Sequence, residues 1–143
     1  MRVDVILRHK GDEIISIPPD HTVQDAADAL QKHKIGAILV RDNAGDVLGV
    51  LSERDIVRGL ATQKDKVLGN KVTELMTTSI VTCSPMDTVD EIMELMTQKR
   101  VRHIPVMDDG ALSGIISIGD VVKHRMSEIE NESDALRQYL AAG

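Results

Sequence analysis

Aromatic rings are nearly missing from this sequence: Tyr139 is the only one in 143 residues, with no Phe and no Trp. Any core must therefore be filled by Val, Ile, Leu, Met and Ala. The stacking platforms of single-stranded nucleic-acid binders are excluded as well. Cysteine is as scarce. Cys83 stands alone, which excludes an internal disulfide and a cysteine metal cluster within one chain, and fits a reducing compartment. No run of eighteen apolar residues occurs, so no membrane span is expected. The charged stretch 1–11 has no apolar run of the signal-peptide kind, and the expected setting is the cytoplasm. His9, His21, His33, His103 and His124 have no ligand spacing, so no metal site is expected. Neither a glycine-rich phosphate loop nor a serine in a nucleophile-type turn is present. No residue is assigned a catalytic role, and an enzyme is not expected.

The net charge of −6 opposes a nucleic-acid backbone overall, and no nucleic-acid partner is expected. A local basic groove could still hold a small anion. A chain of 143 residues buries a sizeable core but has no room for a large catalytic barrel.

The chain does contain a worn internal repeat. Gly49-Val50-Leu51-Ser52-Glu53-Arg54-Asp55 answers Gly114-Ile115-Ile116-Ser117-Ile118-Gly119-Asp120. Thr22-Val23 aligns with Thr88-Val89, and Asp42 with Asp108, at an offset of 66; Ser52 aligns with Ser117 at 65. The second copy has thus lost one residue from the turn between its paired strands. Repeats of this length are complete supersecondary units that can share a core. Two equivalent grooves follow, which suits a binding module better than an enzyme with one cleft.

Periodicity supplies the elements. Ile14–Ile17 reads as a strand stopped by Pro18-Pro19. A helix follows from Thr22 to His33, with Val23, Ala26, Ala27 and Leu30 inward and Thr22 and Asp25 at capping-box spacing. Ala37–Arg41 and Val47–Leu51 form a hairpin, and a helix runs from Ser52 to about Ala61. The second copy repeats this plan. Ile80-Val81-Thr82 is its strand, and Thr88 to Lys99 its helix, with Val89, Ile92, Met93 and Met96 apolar. Ile104–Met107 and Leu112–Ile116 form its hairpin. The last helix, from near Ser117, is long. Val122, Met126, Ile129, Ser133, Leu136 and Leu140 make a seam on it, suited either to packing on its own domain or to a partner helix. The expected boundaries are 1–62 for the first unit with its N-terminal strand, 63–78 for a linker, 79–126 for the second unit and 127–143 for a helical tail. The class is α+β, each unit strand-helix-strand-strand-helix.

These motifs resemble a tandem pair of CBS domains, a Bateman module, over about Ile14 to Arg125. The first copy carries the resemblance in Ile35-Gly36-Ala37-Ile38-Leu39-Val40-Arg41-Asp42 and Gly49 to Asp55. The second carries it in Met76-Thr77, Val101 to Asp108 and Gly114 to Asp120. The chain is similar to the regulatory appendage of inosine monophosphate dehydrogenase, not to its barrel. The resemblance implies pseudo-twofold symmetry and association of two pairs into a disc of four copies, that is, a homodimer. In nucleotide-binding members, the hydroxyl of the Gly-x-x-Ser/Thr-x-x-Asp pattern meets phosphate and the aspartate accepts from the ribose hydroxyls. Carried over, this nominates Ser52 and Asp55 in one groove, and Ser117 and Asp120 in the other. Gly36, Ala37 and Ile38, with Arg102, His103 and Ile104, are the implied lining of the adenine.

Each nomination has a structural alternative. Ser-x-x-Asp is nearly a capping box, which stabilises a helix by roughly 1 kcal/mol without any ligand. Gly36 also suits a tight turn. Arg54, set where the second copy has Gly119, either grips phosphate or pairs with an acid such as Glu53. No cofactor is required. The expected ligand is AMP, ADP or ATP, with NAD as a further candidate, and Arg54 favours phosphate over the sulfonium of S-adenosylmethionine. The expected role is an adenine-nucleotide sensor that alters its packing or its binding of a target protein. The alternative is a structural or adaptor protein with vestigial pockets.

Overall fold

The computed structural model describes residues 1–11 and 13–142. The fold is α+β, with the order α1 (Val3–Lys10), β1 (Ser16–Ile17), α2 (Val23–His33), β2 (Ala37–Arg41), β3 (Val47–Ser52), α3 (Glu53–Gln63), α4 (Val72–Leu75), α5 (Val89–Lys99), β4 (His103–Asp108), β5 (Ala111–Ser117) and α6 (Ile118–Ala142). A 3-10 turn, Lys64–Gly69, lies between α3 and α4. Two compact units result, Glu13–Ile80 and Met1–Asp12 with Val81–Gly143.

In the first of these units, β1 runs parallel to β2 and β2 antiparallel to β3. Thr22 caps α2 with a reciprocal box: its hydroxyl accepts from the Asp25 amide, and the Asp25 carboxylate accepts from the Thr22 amide. The expected stripe is inward, as Val23, Ala26 and Leu30 join Ile38, Val40, Leu51 and Ile56 in one core. The stretch expected to be a linker is built into this unit. Val67 and Val72 are fully buried. The Asn70 carbonyl accepts from Val23 N–H at 2.8 Å, and Val72 N–H donates to His21 at 2.9 Å. Thr77 then pairs with Val50 along the free edge of β3. Polar composition marked 63–78 as a connector, but a few apolar side chains suffice to pin it.

The second unit repeats the plan with two differences. Its leading strand is a single parallel bridge, Cys83 to Val106, one residue after the expected Ile80–Thr82. The N-terminal residues, grouped by sequence with the first repeat, form α1 and belong here. Val3 and Ile6 share a core with Val89, Ile92, Met96, Ile104, Val106, Ile116 and Val121. Met96 is therefore core, while Met93 is exposed. The missing turn residue is where the offset puts it. β2 and β3 are joined across 42–46, where the Asp42 carboxylate accepts from the Ala44 and Asp46 amides. β4 and β5 turn within Asp109-Gly110, both at positive φ (53° and 79°), as a two-residue hairpin turn requires.

Candidate functional site

Each hairpin ends where a helix begins, and the nominated residues meet at that end. In the first unit, Ala37 lies opposite Ser52 and Ile38 opposite Leu51. The Gly36 carbonyl accepts from the Glu53 amide at 3.0 Å. In the second, His103 faces Ser117 and Ile104 faces Ile116, while the Arg102 carbonyl accepts from Ile118 at 2.8 Å. Gly36 and Ala37 are thus beside Ser52 and Asp55, as Arg102 and His103 are beside Ser117 and Asp120. The side chains of Ile38 and Ile104 point into their cores and are buried.

The helix-capping role is realised in both signatures. Ser52 caps α3: its hydroxyl accepts from the Asp55 amide at 3.2 Å, and Asp55 Oδ2 accepts from the Ser52 amide at 3.0 Å. Ser117 and Asp120 repeat this at 3.1 and 2.9 Å. Each box uses one carboxylate oxygen for the cap. Among the described residues Asp55 Oδ1 has Arg58 as its cation, at 3.8 Å. Asp120 differs. Lys10 of α1 donates to Asp120 Oδ2 at 2.7 Å and to the Ile115 carbonyl at 2.8 Å. Burial pushes the Asp120 carboxyl up, but hydrogen bonds and charge from Lys10, with the Ser117 amide, bring it below the ordinary carboxylate value.

Arg54 stands exposed on the first turn of α3 without an ion pair to any described residue, so the alternative of a bridge to Glu53 is not what forms. Its counterpart Gly119 has room: an added Cβ would meet nothing closer than Ser117 Oγ at 3.7 Å. Arg102 is exposed too. Arg125, by contrast, is committed to Glu128 at 2.9 Å and approaches Asp90. A hollow of about 480 Å³ lies between α2 and α3 behind Gly36, walled by Leu30, Ile35 and Ile56, but Ser52 and Asp55 do not line it. Cys83 is buried, and desolvation, then the charge of Asp87, pushes its thiol up to about 12, out of nucleophilic range. Among the described residues no cluster suited to a metal ion is found, and no helix is long and apolar enough to cross a membrane.

The sequence placed Gly49 and Gly114 in the signature but gave them no role, and it did not single out Lys10. An added Cβ at Gly49 would sit 2.6 Å from Met76 Sδ, and one at Gly114 would sit 2.6 Å from Leu7 Cδ2. Both glycines admit a covering segment. The helical spacing of Val3, Ile6 and Leu7 was the available clue to α1.

The CBS domain family model matches residues 6–62 and 72–127. The mitochondrial CBS domain-containing protein CBSX3 of Arabidopsis thaliana is 36% identical over 128 residues, which cover 87% of this chain and 62% of that protein. The chain thus spans less than two thirds of that relative's length. A CBS-domain-containing protein of Agrobacterium tumefaciens superimposes with a TM-score of 0.86 at 45% identity, covering 87% of this chain and 99% of the other. Two more distant structures hold ligands. One from Pyrobaculum aerophilum is complexed with AMP (27% identity, TM-score 0.75, 84% and 89% covered). The CBS pair of protein MJ0100 is complexed with 5-methylthioadenosine and S-adenosyl-L-methionine (25%, 0.79, 90% and 98%). The matched residues are regulatory repeats and not the catalytic domain of a dehydrogenase.

Proposed function

The chain belongs to the CBS-domain family as a tandem pair, and from that premise we propose that it is a regulatory module whose ligand is an adenine nucleotide. The observation that carries this is the repeated end of the hairpin: a helix-start serine and an acceptor carboxylate, with one carboxylate oxygen left over from the cap, beside the exposed Arg54. Helix N-termini favour anions, and a carboxylate is fit to accept from vicinal hydroxyls. Complexes of relatives with AMP, with 5-methylthioadenosine and with S-adenosyl-L-methionine support the adenosine part. Arg54 favours AMP, ADP or ATP, with NAD next. Calorimetry with those four ligands and S-adenosylmethionine tests the reading, and 2′-deoxy analogues test the ribose contact without touching the protein. No saturable binding by any of them would overturn it.

We further propose a homodimer closing into a four-repeat disc, and a protein target that responds to its packing. Val122, Met126, Ile129, Leu136 and Leu140 on α6 are between 46% and 67% exposed, so the seam is uncovered in the single chain. Sedimentation should give a dimer at micromolar concentration, and Leu136→Glu should weaken it. A cytoplasmic setting fits the lone, buried thiol of Cys83. The adaptor reading draws on the capping boxes, which are complete without any ligand. It requires that target capture be indifferent to nucleotide and to Asp55→Ala.

A further inference from the structure

The covering segments of the two units are equivalent at their start and diverge at their end. Arg2 and Lys71 precede the helices, and Val3 and Val72 open them, both fully buried. Leu7 and Met76 then meet the signature glycines. α4 stops at Leu75, and the chain continues into a single antiparallel bridge in which the Thr77 amide donates to the Val50 carbonyl at 2.9 Å. α1 continues to Lys10. The carbonyl at the equivalent place on β5, Ile115, takes its hydrogen bond from the Lys10 ammonium instead. The same ammonium reaches the signature carboxylate, 2.7 Å from Asp120 Oδ2, and the pair is only partly exposed (34% and 23%).

We propose that Lys10 is a built-in competitor for the ribose site of the second unit, so that the two grooves are unequal and the Asp55 groove fills first. This rests on the adenine-nucleotide reading above. The ammonium shares Oδ2 with the Ser117 amide, so a ribose diol that engages both oxygens of Asp120 must displace this charge-assisted bond, the stronger kind. Among the described residues Asp55 has no such donor: Arg58 stays at 3.8 Å. The closure is specific to the second unit because only there is the covering helix long enough to carry a lysine to the carboxylate. Ligand occupying the Asp120 groove would displace Lys10 and loosen the last turn of α1 from β5, which couples occupancy to the N-terminal segment.

The test is titration of the full chain with AMP in an Asp55→Ala background, which isolates the Asp120 groove. Adding Lys10→Met should tighten AMP about 5–10-fold, the loss of one charge-assisted competitor. Lys10→Arg should leave the groove as weak as it was. Further Asp120→Ala should abolish the gain, and thermal melts of each variant check that it is folded. Unchanged or weakened AMP binding in Lys10→Met would overturn the competitor role while leaving the nucleotide reading intact, because Lys10 would then be merely a support or a phosphate ligand. Failure of every variant, wild type included, to bind AMP would overturn both.

Discussion

The two units solve one problem in two ways. Each has a hairpin edge whose signature glycine admits a neighbouring segment and whose next carbonyl needs a donor. The Glu13–Ile80 unit supplies Met76 and the backbone amide of Thr77; the other supplies Leu7 and the Lys10 ammonium. A backbone partner is fixed in place and carries no charge. A lysine is flexible, charged and able to leave. The repeat is therefore symmetric in what must be packed and asymmetric in what could respond.

The largest expected effect separates the glycines. Gly49→Ala would put a Cβ 2.9 Å from the Thr77 carbonyl oxygen as well as against Met76, so backbone must shift. It should destabilise by about 2–3 kcal/mol in urea unfolding. At Gly114 the close atom is a methyl of Leu7, which can swing aside, and alanine should cost only about 1 kcal/mol. Equal losses would mean that the two coverings are equally rigid.

Next comes the ribose contact. Asp55→Ala should weaken AMP by about 1.5–3 kcal/mol in calorimetry. A melt that falls by a capping increment with nucleotide affinity unchanged would return Asp55 to the helix alone. A smaller effect concerns acid. Asp120 has a depressed carboxyl pKa, so its contribution is complete above the ordinary carboxylate range and is lost as pH falls through the folded value. Lys10→Met should remove up to about 1 kcal/mol at neutral pH, discounted for exposure, and little once Asp120 is protonated. Melting temperature against pH for the two proteins should converge at the acid end. The smallest change is Arg54→Ala, expected within about 0.5 kcal/mol of wild-type stability because its exposed side chain has no ion pair among the described residues. It should nevertheless weaken AMP more than adenosine and flatten the salt dependence. Equal losses for the two ligands would deny Arg54 a phosphate role.

The legible parts of the fold were the local ones. Thr22, Ser52, Thr88 and Ser117 announce helix starts within a few residues, and each caps the helix expected of it. The pairing of His103 with Ser117 follows from hairpin register, which the alignment of the copies already fixed. The spacing of Val3, Ile6 and Leu7 hinted at a helix but not at the core it joins, and the burial of Val67 was not readable this way. Leu7 has its reason for being apolar at Gly114, more than a hundred positions away, and nothing near Leu7 reports that glycine. Lys10 likewise reads as one more charge in a charged stretch until the fold brings Asp120 to it. Tertiary closure, not propensity, decides both.

The placement of α1 also means that the unit of duplication and the unit of folding are out of step by about a dozen residues. A fragment of residues 79–143 would contain the second unit as the sequence bounds it and yet lack Val3 and Ile6, two fully buried members of its core. Such a fragment should be an incomplete body that a separate peptide of residues 1–11 could complement. At high concentration, two intact chains could trade these segments and become linked without any new interface.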